Sequence, residues 1–210
     1  MDLSGFDESH GKVGQRAEEN DMSKEPRFPQ LILEELNDQQ RRLAEQILKV
    51  SSSGLGGPYN ALLRSPVLGQ RMFDLLHYVR WETTVSSRLN EFAILIIARH
   101  WRSQVEWFSH SRLAAKAGLS PGIIAELRTN KRPQNMPAEE SVVYDFVTEL
   151  TTRHAVSDET FKRARSLLGE QQVVDLTAVA GTYVTIAMIL AMAEASVAPG
   201  AELPFKTGEP

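Results

Sequence analysis

Glu91 to Gly118 reads EFAILIIARHWRSQVEWFSHSRLAAKAG, and this stretch decides the fold. Leu89, Phe92, Ala93, Ile96 and Ile97 recur at three and four, the spacing of one helical face. Ser86 or Ser87 stands where a helix cap belongs, so the pattern predicts a helix from there to about Trp101. A second helix is predicted from about Ser103 to Ala117, with Gly118 as its left-handed stop.

The same period continues on both sides, and alternation of the strand type is almost absent. Upstream, a helix is expected from about Asp38 to Val50, with Leu43, Ile47 and Val50 on one face. Ser51 to Gly57 holds three serines and three glycines and reads as a loop; no G-K-[ST] follows, so it is not a phosphate loop. Pro66 opens a helix that continues through Met72, Leu75, Leu76 and Val79. Downstream, Ser120-Pro121 starts a short helix through Leu127, and Pro137 with Glu139 and Glu140 starts one to about Arg153. Ser157 to about Gly169 forms another, and the last long helix covers about Gln171 to Ala195. The expected fold class is all-α, a compact helical domain of about seven or eight helices. The expected organisation is a flexible extension over residues 1–27, too polar to offset its ordering entropy, and a single domain over residues 28–210.

Composition narrows the function. The 42% hydrophobic and 24% charged content is that of an ordinary soluble globular protein. The formal charge of −4 argues against nucleic acid as a partner, and the short basic run Arg128 to Arg132 reads as a solvated loop. There is no cysteine among the 210 residues, which removes disulfides, thiolate metal sites and Cys nucleophiles together. No secretory signal is visible, and a cytoplasmic location is expected. Between Asp175 and Glu194 lie 18 uncharged residues, the lower limit for a membrane span. Thr177, Gly181, Thr182, Tyr183 and Thr185 interrupt it and basic flanks are missing, so a buried helix or an oligomer interface is expected instead of a membrane partner.

The residues that carry chemistry sit in the opening stretch. Glu106 and His110 are four apart on one helix, so their side chains share a face. A carboxylate beside an imidazole fixes its tautomer and favours its charged form, as a proton-transfer pair requires. Glu91 reaches the pair if the two helices pack antiparallel. Spacing alone leaves other readings open: a Glu–His pair at this separation is commonly a surface ion pair, and Glu91 also suits a first helical turn. Tyr183, with Gly181 nearby, is a candidate to line a pocket, as are Tyr59 and Asn60 after the glycine-rich loop; a packed aromatic and a plain turn are the alternatives. Ser103 and Trp107 complete the substrate-facing candidates, although Trp81, Trp101 and Trp107 are most simply core or interface residues. His77, His100 and His154 lack a ligand pattern, so no metal is expected.

In order along the chain, Glu91, then Glu106, Trp107 and His110, then Ala114, Ala117, Gly118, Leu119 and Ser120 resemble the core motif of the carboxymuconolactone decarboxylase and alkylhydroperoxidase superfamily. Leu63 to Pro66, Ser157 to Phe161, Leu168-Gly169 and the Gly181-x-Tyr183 helix are similar to its flanking segments, so the likeness spans about Pro58 to Pro204. The resemblance implies a cofactor-free helical oligomer, trimeric or hexameric. In the peroxidase branch a C-x-x-C-x-x-x-H arrangement carries the chemistry, and its cysteine positions fall here on Ser103 and Glu106. A serine and a carboxylate cannot cycle through a disulfide, so dithiol peroxidase activity is not expected. What remains resembles the decarboxylase branch. The implied function is a carbon–carbon lyase acting by proton transfer on a small carboxylated lactone or a related intermediate of aromatic breakdown, with His110 as acid/base, Glu106 orienting or tuning it and Glu91 completing the relay. A divergent isomerase or hydrolase with the same site, and a non-catalytic small-molecule-binding oligomer, are the alternatives.

Overall fold

The computed structural model describes residues 26–51, 53–197 and 200–205. Ser86 accepts a hydrogen bond from the Leu89 amide and starts the helix over Ser87–His100, whose buried residues Leu89, Asn90 and 92–99 cover every side of it. A helix apolar all round belongs at the centre, and this one packs against four others. Phe92, Ile94, Leu95 and Ile97 are fully buried, each contributing about 1.5–3 kcal/mol relative to exposure. The chain turns at Trp101–Ser103 with Arg102 in the left-handed region (φ 51°), then forms a helix over Gln104–Lys116. That helix ends as the sequence predicts: Gly118 takes φ 92°, its amide bonds to Ala115 O, and the Leu119 amide bonds to Ala114 O. Buried Leu119 supplies the apolar contact that accompanies this stop.

Among the described residues there are eight α-helices and no strand, in the order α1 Asp38–Val50, α2 Pro58–Leu62, α3 Pro66–His77, α4 Ser87–His100, α5 Gln104–Lys116, α6 Pro121–Arg128, α7 Ala138–Thr152 and α8 Asp158–Met192. Helices α5, α7 and α8 surround α4, while α1 packs on α3 and α2 bridges α3 and α8. Helix α1 begins with a reciprocal cap, Asn37 Oδ1 accepting from the Gln40 amide and Gln40 Oε1 from the Asn37 amide. Arg88 ties α4 to the acidic first turn of α7 through Glu139, at 3.1 Å, and buried Glu140.

Three local features differ from the sequence reading. Tyr59 and Asn60 lie in the short helix α2, with Pro58 in its first turn, where a turn was one of the expectations. The helix expected through Val79 widens after His77 into a π turn, Tyr78–Glu82, closed by a 3.0 Å bond from the Thr83 amide to Tyr78 O. Trp81 and Trp101 are surface residues, 46% and 37% exposed, while Trp107 is buried. By contrast, the break expected near Gly169 is present: within Asp158–Met192 Gly169 leaves helical geometry, at φ 80° and ψ 166°, and separates two helical segments.

The apolar helix α8 is long and apolar enough to cross a bilayer by length and composition, and 56% of its most apolar window is buried inside the fold. Residues 1–25 of the expected N-terminal extension lie outside the described residues. Its end is docked: Arg27 donates to Met192 O and pairs with Glu194 at 2.6 Å. At the other terminus Phe205 is buried against Trp107, its amide and carbonyl both bonded to the Gln104 side chain.

Candidate active site

The α4–α5 hairpin turns at Trp101; Glu91 lies ten residues before it and His110 nine after, so antiparallel packing sets them side by side. Glu91 Oε2 is 2.6 Å from His110 Nδ1, and the two side chains are only 12% and 9% exposed. With Glu91 ionised, the proton of this contact sits on Nδ1, which donates to the carboxylate. The second ring nitrogen, Nε2, has no hydrogen-bond partner among the described residues. Tyr183 of α8 meets the imidazole edge-on, with centroids 5.1 Å apart and planes at 88°. The Tyr183 ring and the Glu91 carboxylate together hold the imidazole in one orientation.

Glu106, one turn earlier on α5, is 3% exposed, and neither of its oxygens has a hydrogen-bond partner. Burial pushes its carboxyl up to about 8. The Ser103 hydroxyl nearby works the other way without reaching hydrogen-bond geometry. At neutral pH this side chain is therefore mainly a carboxylic acid. This corrects one role in the sequence reading. Shared helical face suggests Glu106 as the group that orients His110; the structure gives that bond to Glu91, across the hairpin, and leaves Glu106 unpaired. The physical reason is that sharing a face only permits contact, whereas interhelical packing decides which carboxylate comes within bonding distance.

The other candidates divide. Tyr183 is buried, and burial above all pushes its phenol up, with the cation of Arg80 opposing and the charge of Glu91 adding to the rise. Tyr59 of α2 is close enough to interact with Tyr183 and Arg80, and its phenol is likewise raised by burial. Ser103 stands at the start of α5 without making a side-chain cap bond. Trp107 packs on Phe205 and lines a groove shared with Ile124 and Arg128 of α6. Asn60 does not join the cluster: its side chain bonds to the carbonyls of Phe28 and Pro29 and to the Leu31 amide, bracing the incoming chain. Among the described residues no three of His, Cys, Asp and Glu converge as metal ligands.

Sequence reasoning missed Arg80. Its guanidinium Nη2 lies 3.9 Å from Glu91 Oε1, on the side opposite His110, and it stacks on Trp81 at 4.6 Å. Nothing in the local pattern marks it, because it sits in the π turn where the helical period fails.

No family model matches this sequence, and no curated protein does. Among solved structures the fold is similar to the crystal structure of an alkylhydroperoxidase AhpD core, an uncharacterized peroxidase-related protein from Ralstonia eutropha JMP134. The TM-score is 0.69 at 12% identity, covering 83% of this chain and 93% of that one. At this identity the likeness establishes the alkylhydroperoxidase-like fold and nothing finer. This chain has no thiol with which to run a dithiol cycle.

Proposed function

We propose that this protein is a cofactor-free lyase that decarboxylates a small carboxylated lactone or a related ring by proton transfer. The observation that carries the reading is the Glu91–His110 contact of 2.6 Å beside a carboxylic acid, Glu106, that burial keeps protonated. One carboxyl group serves as a fixed partner to an imidazole and the other as a neutral donor, which is how two like groups divide acid and base work.

Breaking the bond between the ring carbon and its carboxylate releases CO2 and sends the electron pair onto the lactone carbonyl oxygen. The Glu106 O–H is suited to donate to that oxygen as its charge develops. Protonated His110, its Nδ1–H held by Glu91, then delivers the Nε2 proton to carbon and is reprotonated from solvent. The buried setting strengthens both interactions. The resemblance in the Glu91, Glu106 and His110 positions supports the same reaction class, as does a fold known to host enzymes. We also propose that the chain assembles as a trimer or hexamer.

The test is an absorbance assay of the purified protein with carboxymuconolactone beside His110→Ala and Glu91→Gln. Turnover by the wild type that falls about 10²–10⁴-fold in His110→Ala is the expected result. Full turnover in that variant removes His110 from the mechanism. No turnover by the wild type removes this substrate, and with it the decarboxylase assignment.

A further inference from the structure

The π turn that carries Arg80 is anchored on three sides. Asp175, a buried carboxylate of α8, accepts from the Tyr78 hydroxyl at 3.1 Å and from the Thr83 hydroxyl at 2.8 Å, gripping both ends of the turn. Asn90, buried on α4, donates through Nδ2 to Val79 O, and the Val79 side chain is fully buried. Gln172 of α8 donates to Thr84 O at 3.1 Å just beyond the turn. A buried carboxylate is costly unless its oxygens are bonded, and here the whole of Asp175 is committed to the segment that presents one arginine.

That arginine is not itself committed. Its guanidinium is the cation of the Tyr59, Glu91 and Tyr183 cluster, with a side chain 21% exposed. No hydrogen bond from it to any described group is found; the ion contact to Glu91 at 3.9 Å is beyond hydrogen-bond length, and Trp81 covers only one face. A planar fork with unused donors, on a turn held by buried polar groups, is the arrangement that binds a carboxylate in two places.

We infer that Arg80 is the receptor for a substrate carboxylate at this site, and that Asp175 is the positioning residue that holds it there through Tyr78 and Thr83. The inference rests on the proposed function for the identity of the site and deepens it to the class of ligand, a small ring-bearing carboxylate. Bound there, the anion is neutralised by Arg80 against the neighbouring charge of Glu91.

The test is binding, independent of turnover: calorimetric titration with 2-furoate and with its neutral analogue 2-furamide, together with the shift of the Trp81 indole N–H resonance. We expect furoate to bind at least tenfold more tightly than furamide, to move the Trp81 signal, and to lose about tenfold or more affinity in Arg80→Gln, with Arg80→Lys in between. Asp175→Ala is expected to weaken furoate several-fold, Asp175→Asn to recover part of it, and Asp175→Ala to cost nothing further in the Arg80→Gln background. Equal binding of the two probes, no binding of furoate by the wild type, or unchanged binding in Arg80→Gln each overturns the receptor. An additive Asp175→Ala loss in the Arg80→Gln background overturns the positioning role. Furoate binding through Arg80 without lactone turnover would sink the decarboxylase reading and leave the receptor standing.

Discussion

Glu91 and Glu106 are chemically identical and lie on neighbouring helices, yet only Glu91 has a partner. For Glu106 the consequence is a pH dependence of known sign. Its carboxyl is raised to about 8 in the fold from 4.5 in the free chain, so below 4.5 both states are protonated and it contributes nothing. As pH rises from 4.5 to 8 the unfolded chain releases the proton first and stability is lost, at about 1.4 kcal/mol per unit; above 8 the loss is complete. Glu106→Gln removes this slope. Urea unfolding at a series of pH values should therefore show the variant gaining on wild type by on the order of 4 kcal/mol across that window. A parallel pair of curves would mean that Glu106 is ionised at neutral pH and is no donor. In activity the same titration predicts a fall above pH 8 that Glu106→Gln, still a neutral donor, does not share. All three residues of this set are legible in sequence, because helix spacing and composition mark them; which carboxylate bonds His110 is not, because that depends on a distance across the hairpin.

At the scale of elements, α3 is held close to its neighbours by Gly69. A Cβ there would stand 2.7 Å from Leu62 O and 2.7 Å from a methyl carbon of Leu43. The backbone oxygen cannot yield without moving α2, so Gly69→Ala should cost about 3 kcal/mol in a chemical melt. Displacement of α2 should also shift Tyr59, which it carries. Gly169 presents the opposite case: open space surrounds its Cβ position, but φ 80° and ψ 166° belong almost only to glycine. Gly169→Ala is expected to cost about 1–3 kcal/mol through backbone strain alone, and a smaller loss than that would mean the kink straightens. The helix over 38–50 is readable to its ends because the Asn37–Gln40 cap and the apolar period agree. The π turn is unreadable, because an i→i+5 bond is forced by the buried anchors Asp175 and Asn90 and has no pattern of its own.

At the scale of the whole molecule, α8 has two faces. Val173, Leu176, Ala180, Tyr183, Ala187 and Leu190 enter the core, while Val174, Met188 and Met192 stand 67%, 50% and 49% exposed. Thr177, Gly181 and Thr185 join them on one outward stripe, and no charge occurs from residue 176 to 193. An uncharged stripe at three-and-four spacing suits a helix partner, which is why self-association is proposed here. Light scattering should return a multiple of 23.5 kDa, falling to a single chain when Val174→Glu and Met188→Glu are combined. A wild-type mass of 23.5 kDa would remove the oligomer.

By itself the sequence determined the helical class, most helix boundaries, the absence of thiol chemistry and the presence of Glu91, Glu106 and His110, because period, caps and composition are local properties. Tertiary structure alone decided that Glu91 rather than Glu106 bonds the imidazole, that Glu106 is buried without a partner, that Asn60 braces the incoming chain, and that Arg80 is turned toward the site. Each of these depends on distances between elements far apart in the chain, and on the burial that packing creates, neither of which a one-dimensional pattern carries.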